Sequence, residues 1–327
     1  MVARMPLATM ARMRATITPM GESGPRPALP ARNETSRPGR TQSPVMKRRL
    51  LFAAFALTGL LSMGCSSLDE RQREWIFQPG DRSWGSSAEL ARDMQDVWIP
   101  FQSEVTDAPA KLHGLWLPAA ETPELAPVLL YLHGAKWNVT GSAPRIRRMQ
   151  DLGFSVLAID YRGFGKSSPA LPSEEMAYED AKVAWDWLAR EHPGRPRYIF
   201  GHSLGGAVAI DLASRVGDEQ GVIVEGTFTS IPDVASSMKY GWLPVGPLIT
   251  QRFDSVGKVA KVGSPLLVVH GANDRLIQSA LGRRLYDAAT GRKHFMLVEG
   301  GSLHSTMAVG VAQYRAALAE FFSLKNR

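Results

Sequence analysis

From about Val97 onward the chain alternates short, almost unbroken apolar runs with longer segments whose apolar positions recur at helical spacing. The runs Val97–Phe101, Leu112–Leu117, Val128–Leu132, Ser155–Ile159, Tyr198–Phe200, Val222–Val224, Leu266–Val269 and Phe295–Val298 predict strands. A strand with one wet face alternates polar and apolar residues, so unbroken apolarity marks strands covered on both faces. Between them, Ala143–Leu152, Ser173–Arg190, Leu204–Val216, Ser279–Ala289 and Thr306–Ser323 predict helices. Such alternation builds βαβ units, hence an α/β fold with a mostly parallel central sheet and helices on both faces. The first two runs are expected to open it as an antiparallel pair. No linker-like stretch interrupts the pattern, so residues 89–327 are expected to form one domain.

The chain before it is different. Residues 1–45 are rich in Pro, Arg, Ser and Thr, without sustained apolar periodicity, and are expected to be disordered or a spurious extension ahead of a start at Met46. Met46-Lys47-Arg48-Arg49 then precedes an apolar run from Leu50 to Gly64. A basic head, an apolar stretch of this length and small residues at its end are the parts of a secretory signal, here residues 46–64. The run is shorter than the roughly 20 residues that a bilayer span needs. Cys65, the one cysteine of the chain, follows directly, and residues 65–88 read as a polar tether. A cysteine so placed resembles a bacterial lipoprotein signal, which implies lipidation at Cys65 and a periplasm-facing position in the cell envelope. Ser66, where inner-membrane retention would want aspartate, favours the outer membrane. An ordinary cleaved signal and an uncleaved anchor helix are the alternatives.

Net charge adds little. The chain carries +7, but ten of its 38 Lys and Arg and only two of its 31 Asp and Glu fall in residues 1–49. The remainder is balanced and has no basic stripe or aromatic platform, so nucleic-acid binding is excluded. A lone cysteine also excludes an intramolecular disulfide and CxxC chemistry.

The chemistry sits in the turns that follow the predicted strands, where open α/β sheets gather their sites. Tyr198–Phe200 leads into Gly201-His202-Ser203-Leu204-Gly205-Gly206 and then a helix. Strand, GxSxG and helix in succession form a nucleophile elbow, which lifts the Ser203 hydroxyl above the sheet. A serine hydroxyl is a weak nucleophile and needs a base held by an acid, in this architecture in the order Ser, acid, His. His294 and His304 are the histidines late enough in the chain. His294 precedes the last strand, at the wrong end of the sheet, whereas His304 follows it in Gly300-Gly301-Ser302-Leu303-His304. His304 is therefore the expected base. Asp274, beyond the run Leu266–Val269, is the expected acid, with Glu225 as the alternative and an Asx turn as the structural reading of Asp274. The backbone N–H groups of Leu204 and Ala135 are the expected oxyanion donors.

His133-Gly134, Asp160-Tyr161-Arg162-Gly163-Phe164-Gly165-Lys166-Ser167, the Gly201–Gly206 elbow and the pair Asp274/His304 together resemble the α/β-hydrolase superfamily. Glu225-Gly226-Thr227-Phe228-Thr229-Ser230-Ile231 is similar to a compact subgroup of esterases, lysophospholipase-like enzymes and depalmitoylases. The resemblance spans about Val97 to Phe322. It implies the α/β-hydrolase fold with a minimal lid, a monomer without cofactor or metal, and cleavage of carboxylic esters or thioesters of an acyl substrate. Two departures border the site: Ala135-Lys136-Trp137-Asn138 replaces the subgroup's usual Asn-Ala-Gly-Asn, and Ser305-Thr306 replaces the Asn-Asp that usually follows the histidine. Amide, peptide or carbon–carbon bond hydrolysis on the same fold, and a non-catalytic membrane-anchored binding protein, are the alternatives.

Overall fold

The structure is a computed structural model that describes residues 67–80, 86–136, 138–238 and 241–324. The extension 1–45, the signal 46–64 and Cys65 lie outside the described residues. Among the described residues eight strands, numbered in chain order, form one sheet in the order β1-β2-β4-β3-β5-β6-β7-β8. β1 (Gln95–Ser103) and β2 (Ala108–Leu117) pair antiparallel, and β2 pairs antiparallel with β4 (Ser155–Asp160). β3 (Val128–Leu132), β4, β5 (Arg197–His202), β6 (Gly221–Glu225), β7 (Leu266–Gly271) and β8 (Lys293–Val298) are mutually parallel. All eight predicted strands are present.

Side chains alternate across the strands and so feed two cores. Leu130 and Leu132 of β3 pack with α4 (Glu174–Glu191), α5 (Leu204–Ala213) and α7 (Ser279–Ala288) on one face. Leu129 and Tyr131 pack on the other face, against α3 (Ala143–Asp151) and α9 (Val311–Phe321). Every residue of β3 is fully buried. Large apolar side chains gain about 1.5–3 kcal/mol each from such burial, so the central strands anchor the fold. The segment predicted as one C-terminal helix is split by Gly310 into α8 (Thr306–Val309) and α9. Glycine is the poorest helix former after proline, which accounts for the break.

Among the described residues three α-helices were not expected. The stretch 65–88, expected as a tether, is helical over residues 67–77 (α1), with a further turn at α2 (Ser87–Leu90). Ile76 and Phe77 close α1 and join the core, where Phe77 meets Phe164 and Phe253 edge to face. On α1, Asp69 accepts from Thr250 Oγ1 and Gln251 Nε2 at 2.6 and 2.9 Å, and Gln72 Nε2 donates to the Leu248 carbonyl at 2.8 Å. This part of the expected tether is therefore a piece of the domain. The third helix, α6 (Ile231–Ser237), is started by the Ser230 side chain, which accepts from the Asp233 N–H. It belongs to the short segment after β6 where a minimal lid was expected. Downstream in that segment, Trp242 and Leu248 are 78% and 60% exposed, so core packing does not account for them. Among the described residues no helix is long and apolar enough to cross a membrane.

Candidate active site

Ser203 stands between β5 and α5 with φ 54° and ψ −121°. A non-glycine residue held at positive φ is strained, and such strain persists only where surrounding contacts impose it. Here the Ser203 N–H donates to the Glu225 carbonyl at 2.9 Å, and its own carbonyl accepts from Gly206 at the same distance. The glycines are demanded by close approach. A Cβ on Gly205 would come within 2.1 Å of the Leu132 carbonyl oxygen, and one on Gly201 within 2.3 Å of the Gly205 oxygen. The turn is thus pressed against the ends of β3 and β6, and it leaves Ser203 only half-buried at the carboxyl end of the sheet.

The loop after β3 passes directly beside it. A Cβ on Gly134 would lie 3.0 Å from the Ser203 Cβ. Neighbours pin this loop at several points. Tyr161 Oη donates to the His133 carbonyl at 3.1 Å, Asp160 Oδ1 accepts from the Val139 N–H at 2.6 Å, and the Phe77 carbonyl accepts from the Lys136 N–H at 2.8 Å. The last bond commits the Lys136 donor to α1, and Ala135 is the half-buried residue between it and Gly134. Leu204 is the first residue of α5, so its N–H has no intrahelical acceptor. Burial keeps His133 below its ordinary pKa, hence neutral. Arg162 turns away from the site: its Nε and backbone N–H donate to the two oxygens of buried Asp180 at 2.7 and 2.8 Å.

Asp274 follows β7 at the same end. Its Oδ1 accepts from the N–H groups of Leu276 and Ile277, both at 2.9 Å, so the turn-forming role is present. Its Oδ2 is buried and receives no hydrogen bond among the described residues. His270 Nε2 lies 3.6 Å from that oxygen but donates to the Ile277 carbonyl at 2.8 Å. A buried carboxylate oxygen without a donor is costly, which marks Oδ2 as an acceptor in waiting. Glu225, the alternative acid, has both oxygens engaged: Oε1 accepts from Arg145 Nε at 3.1 Å and Oε2 from Tyr314 Oη at 2.6 Å.

His304 is exposed in the turn after β8 and lies within the electrostatic field of Asp274. No hydrogen bond joins its ring to Asp274 or Ser203 among the described residues; such contacts commonly tighten only when substrate is bound. Desolvation by the surrounding protein on its inner side, then the charge of Arg145, hold the imidazole below its ordinary value of 6.5, with Asp274 opposing and Lys136 adding to the lowering. The two residues that depart from the subgroup pattern build this turn. Ser305 Oγ accepts from the Ser302 N–H at 3.0 Å, and Thr306 Oγ1 donates to the Ser302 carbonyl at 2.7 Å. All five residues expected at the site therefore share one end of the sheet.

Arg145 and Tyr314 are site neighbours that sequence reasoning missed. One signal was available for the arginine. It falls in the first turn of a helix that starts at the carboxyl end of the sheet, where the helix dipole disfavours a cation.

The comparisons agree with this architecture. Residues 123–253 match the family model described as serine aminopeptidase, S33. An uncharacterised protein of Mycobacterium tuberculosis is 30% identical over 258 residues, covering 78% of this chain and 89% of that protein. A lysophosphatidylserine lipase of Danio rerio is 34% identical over 186 residues, which are 51% of this chain and 48% of the lipase. In structure, an esterase of Pyrococcus furiosus superposes with a TM-score of 0.59 at 21% identity, covering 75% of this chain and 98% of the esterase; this likeness speaks for the fold. With its eight-stranded sheet, its serine elbow and these relatives, the chain belongs to the α/β-hydrolase family of serine hydrolases.

Proposed function

We propose that the protein hydrolyses carboxylic esters or thioesters of an acyl substrate through an acyl-enzyme on Ser203. The observation that carries the reading is the strained elbow, which presents a half-buried serine hydroxyl beside the Gly134-Ala135 backbone. In the first half-reaction Ser203 Oγ attacks the acyl carbonyl carbon and His304 takes the hydroxyl proton. Asp274 Oδ2 accepts the other imidazole N–H, orients the ring and stabilises the imidazolium. The Leu204 and Ala135 N–H groups stabilise the tetrahedral oxyanion. Its collapse breaks the bond to the alcohol or thiol, which leaves with the proton from His304. Water, deprotonated by His304, then attacks the acyl-enzyme, and the carboxylate departs as Ser203 regains its proton.

The lysophosphatidylserine lipase relative supports an ester substrate. So do the exposed Trp242 and Leu248, which offer an apolar surface for an acyl chain. The description of the matching family model favours a second reading, aminopeptidase activity. A panel of p-nitrophenyl esters from two to sixteen carbons, set against aminoacyl p-nitroanilides, separates the two. Ester kcat/KM should exceed that of the anilides by about 100-fold or more, since the activated ester is intrinsically the easier bond and an acyl-binding surface adds transition-state binding that an aminoacyl group does not receive. Faster turnover of the anilides would overturn the ester assignment.

We further propose attachment to the outer membrane through lipidated Cys65, with the domain facing the periplasm. The support is the basic head and apolar run that end at Cys65, and the docking of α1 two residues later beside exposed Leu248. Expression in a bacterium fed labelled palmitate tests it. The parent should carry label in the membrane fraction and Cys65→Ala should lose it; equal labelling of both would refute the anchor.

A further inference from the structure

Beneath the turn that carries His304 lies a buried ionic cluster that no step of the proposed chemistry uses. Arg145 of α3 donates from Nε to Glu225 Oε1, and Tyr314 of α9 donates to Glu225 Oε2. Glu225 is fully buried and the Arg145 side chain nearly so, at 13% exposure. The guanidinium also reaches the main chain: Arg145 Nη2 donates to the carbonyls of Leu303 at 3.0 Å and His304 at 3.2 Å. His202 Nε2 lies 3.1 Å from the same nitrogen and 2.9 Å from the Leu303 carbonyl. One side chain from α3 thus ties the end of β6 to the turn after β8.

We propose that Arg145 is a positioning residue that clamps the Leu303–His304 turn over the elbow, with Glu225 and Tyr314 holding its guanidinium in place. The proposal rests on the reading of Ser203 and His304 as nucleophile and base. Gly300 and Gly301 precede the turn, so the backbone leading to His304 has wide conformational freedom of its own. Charge-assisted hydrogen bonds from a planar, rigid guanidinium restrict that freedom in a way a lysine ammonium does not. The cation is set in the first turn of α3 against the helix dipole, and buried with its partner at a desolvation cost. Neither placement is favoured locally, so the compensation lies in what the pair holds.

The clamp also sets the field at the base. The charged and titratable groups facing His304 are Arg145 from α3, Asp274 after β7, Lys136 after β3 and His202 from β5. Burial and Arg145 keep His202 neutral, so it brings no charge. Removing the Arg145 charge lifts one of the influences that hold His304 below 6.5. A base must be deprotonated to act, so the acid limb of kcat/KM then moves to higher pH.

Two variants of the full chain test this with a p-nitrophenyl ester. Arg145→Lys keeps the charge and gives up the fork. Its kcat should fall about 10- to 100-fold, as for a catalytic group displaced by roughly an ångström. KM should stay within about twofold and the acid limb should not move. Arg145→Met combined with Glu225→Gln removes both buried charges at once, so neither is stranded without a partner. Its kcat should fall likewise, and its acid limb should move upward toward 6.5. Parental kcat in Arg145→Lys, or an unmoved limb in a folded double variant, overturns the clamp. The lysine variant decides alone if the double variant does not fold. Failure of the clamp with Ser203→Ala inactive leaves the hydrolase reading intact, whereas an active Ser203→Ala overturns that reading whatever Arg145 does.

Discussion

Replacing Ser203 by alanine is expected to lower kcat/KM for an ester by about 10⁴- to 10⁶-fold while the thermal midpoint stays within a few degrees of the parent. The asymmetry follows from the elbow. Alanine keeps the Cβ, so it keeps the strain of φ 54° and the contact with Gly134. What it loses is the single atom that forms the acyl bond. The N–H groups of Leu204 and Ala135 would remain, so rates above the uncatalysed background are expected to persist. Steady-state kinetics with a short-chain ester, beside a melting curve, reads both halves. A variant with near-parental turnover would move the nucleophile elsewhere.

Asp274→Asn is expected to cost about 10³- to 10⁴-fold in kcat, the scale seen when a triad carboxylate becomes an amide. Asparagine can keep one oxygen on the N–H groups of Leu276 and Ile277, so the turn survives. Its NH2 then faces the imidazole in place of Oδ2 and offers a donor where an acceptor is needed. His304 is driven to carry its proton on the nitrogen facing Ser203, which is the wrong tautomer for a base. Glu225→Gln provides the contrast, since both Glu225 oxygens are engaged by Arg145 and Tyr314. Its loss should be about tenfold, through the clamp. A larger loss at Glu225 than at Asp274, measured on the same ester, would exchange the acid assignment.

The inner strands β3 to β7 were legible because each is buried on both faces. The edge strands β1 and β8, also expected to be covered on both faces, leave Trp98 and Leu297 exposed because among the described residues no neighbouring strand continues the sheet beyond them. Val128–Leu132 has no polar residue to confuse its period, and its flanking turns bound it. The elbow was legible for a related reason. Gly201, Ser203 and Gly205 answer to backbone approach, a local demand that local sequence must meet. The first helix was not. Residues 67–77 are mostly polar, and α1 is held by Phe77 among Phe164 and Phe253 and by bonds to Thr250 and Gln251, all distant in sequence. Nor was Arg145. It stands near Arg147 and Arg148 on a helix that buries Ala143, Ile146 and Met149, a pattern that reads as a solvated basic face. Its partners Glu225, Leu303 and His304 lie 80 or more residues away. Residues whose roles come from neighbours in the chain were readable, while those whose roles come from the fold became visible only with it.

The claim that Ser203 is the nucleophile is tested most directly by mapping where a fluorophosphonate attaches. The parent protein should take up one phosphonyl group, on the peptide that carries Ser203, and Ser203→Ala should take up none. An adduct on a different residue, or equal labelling of the alanine variant, would contradict the assignment.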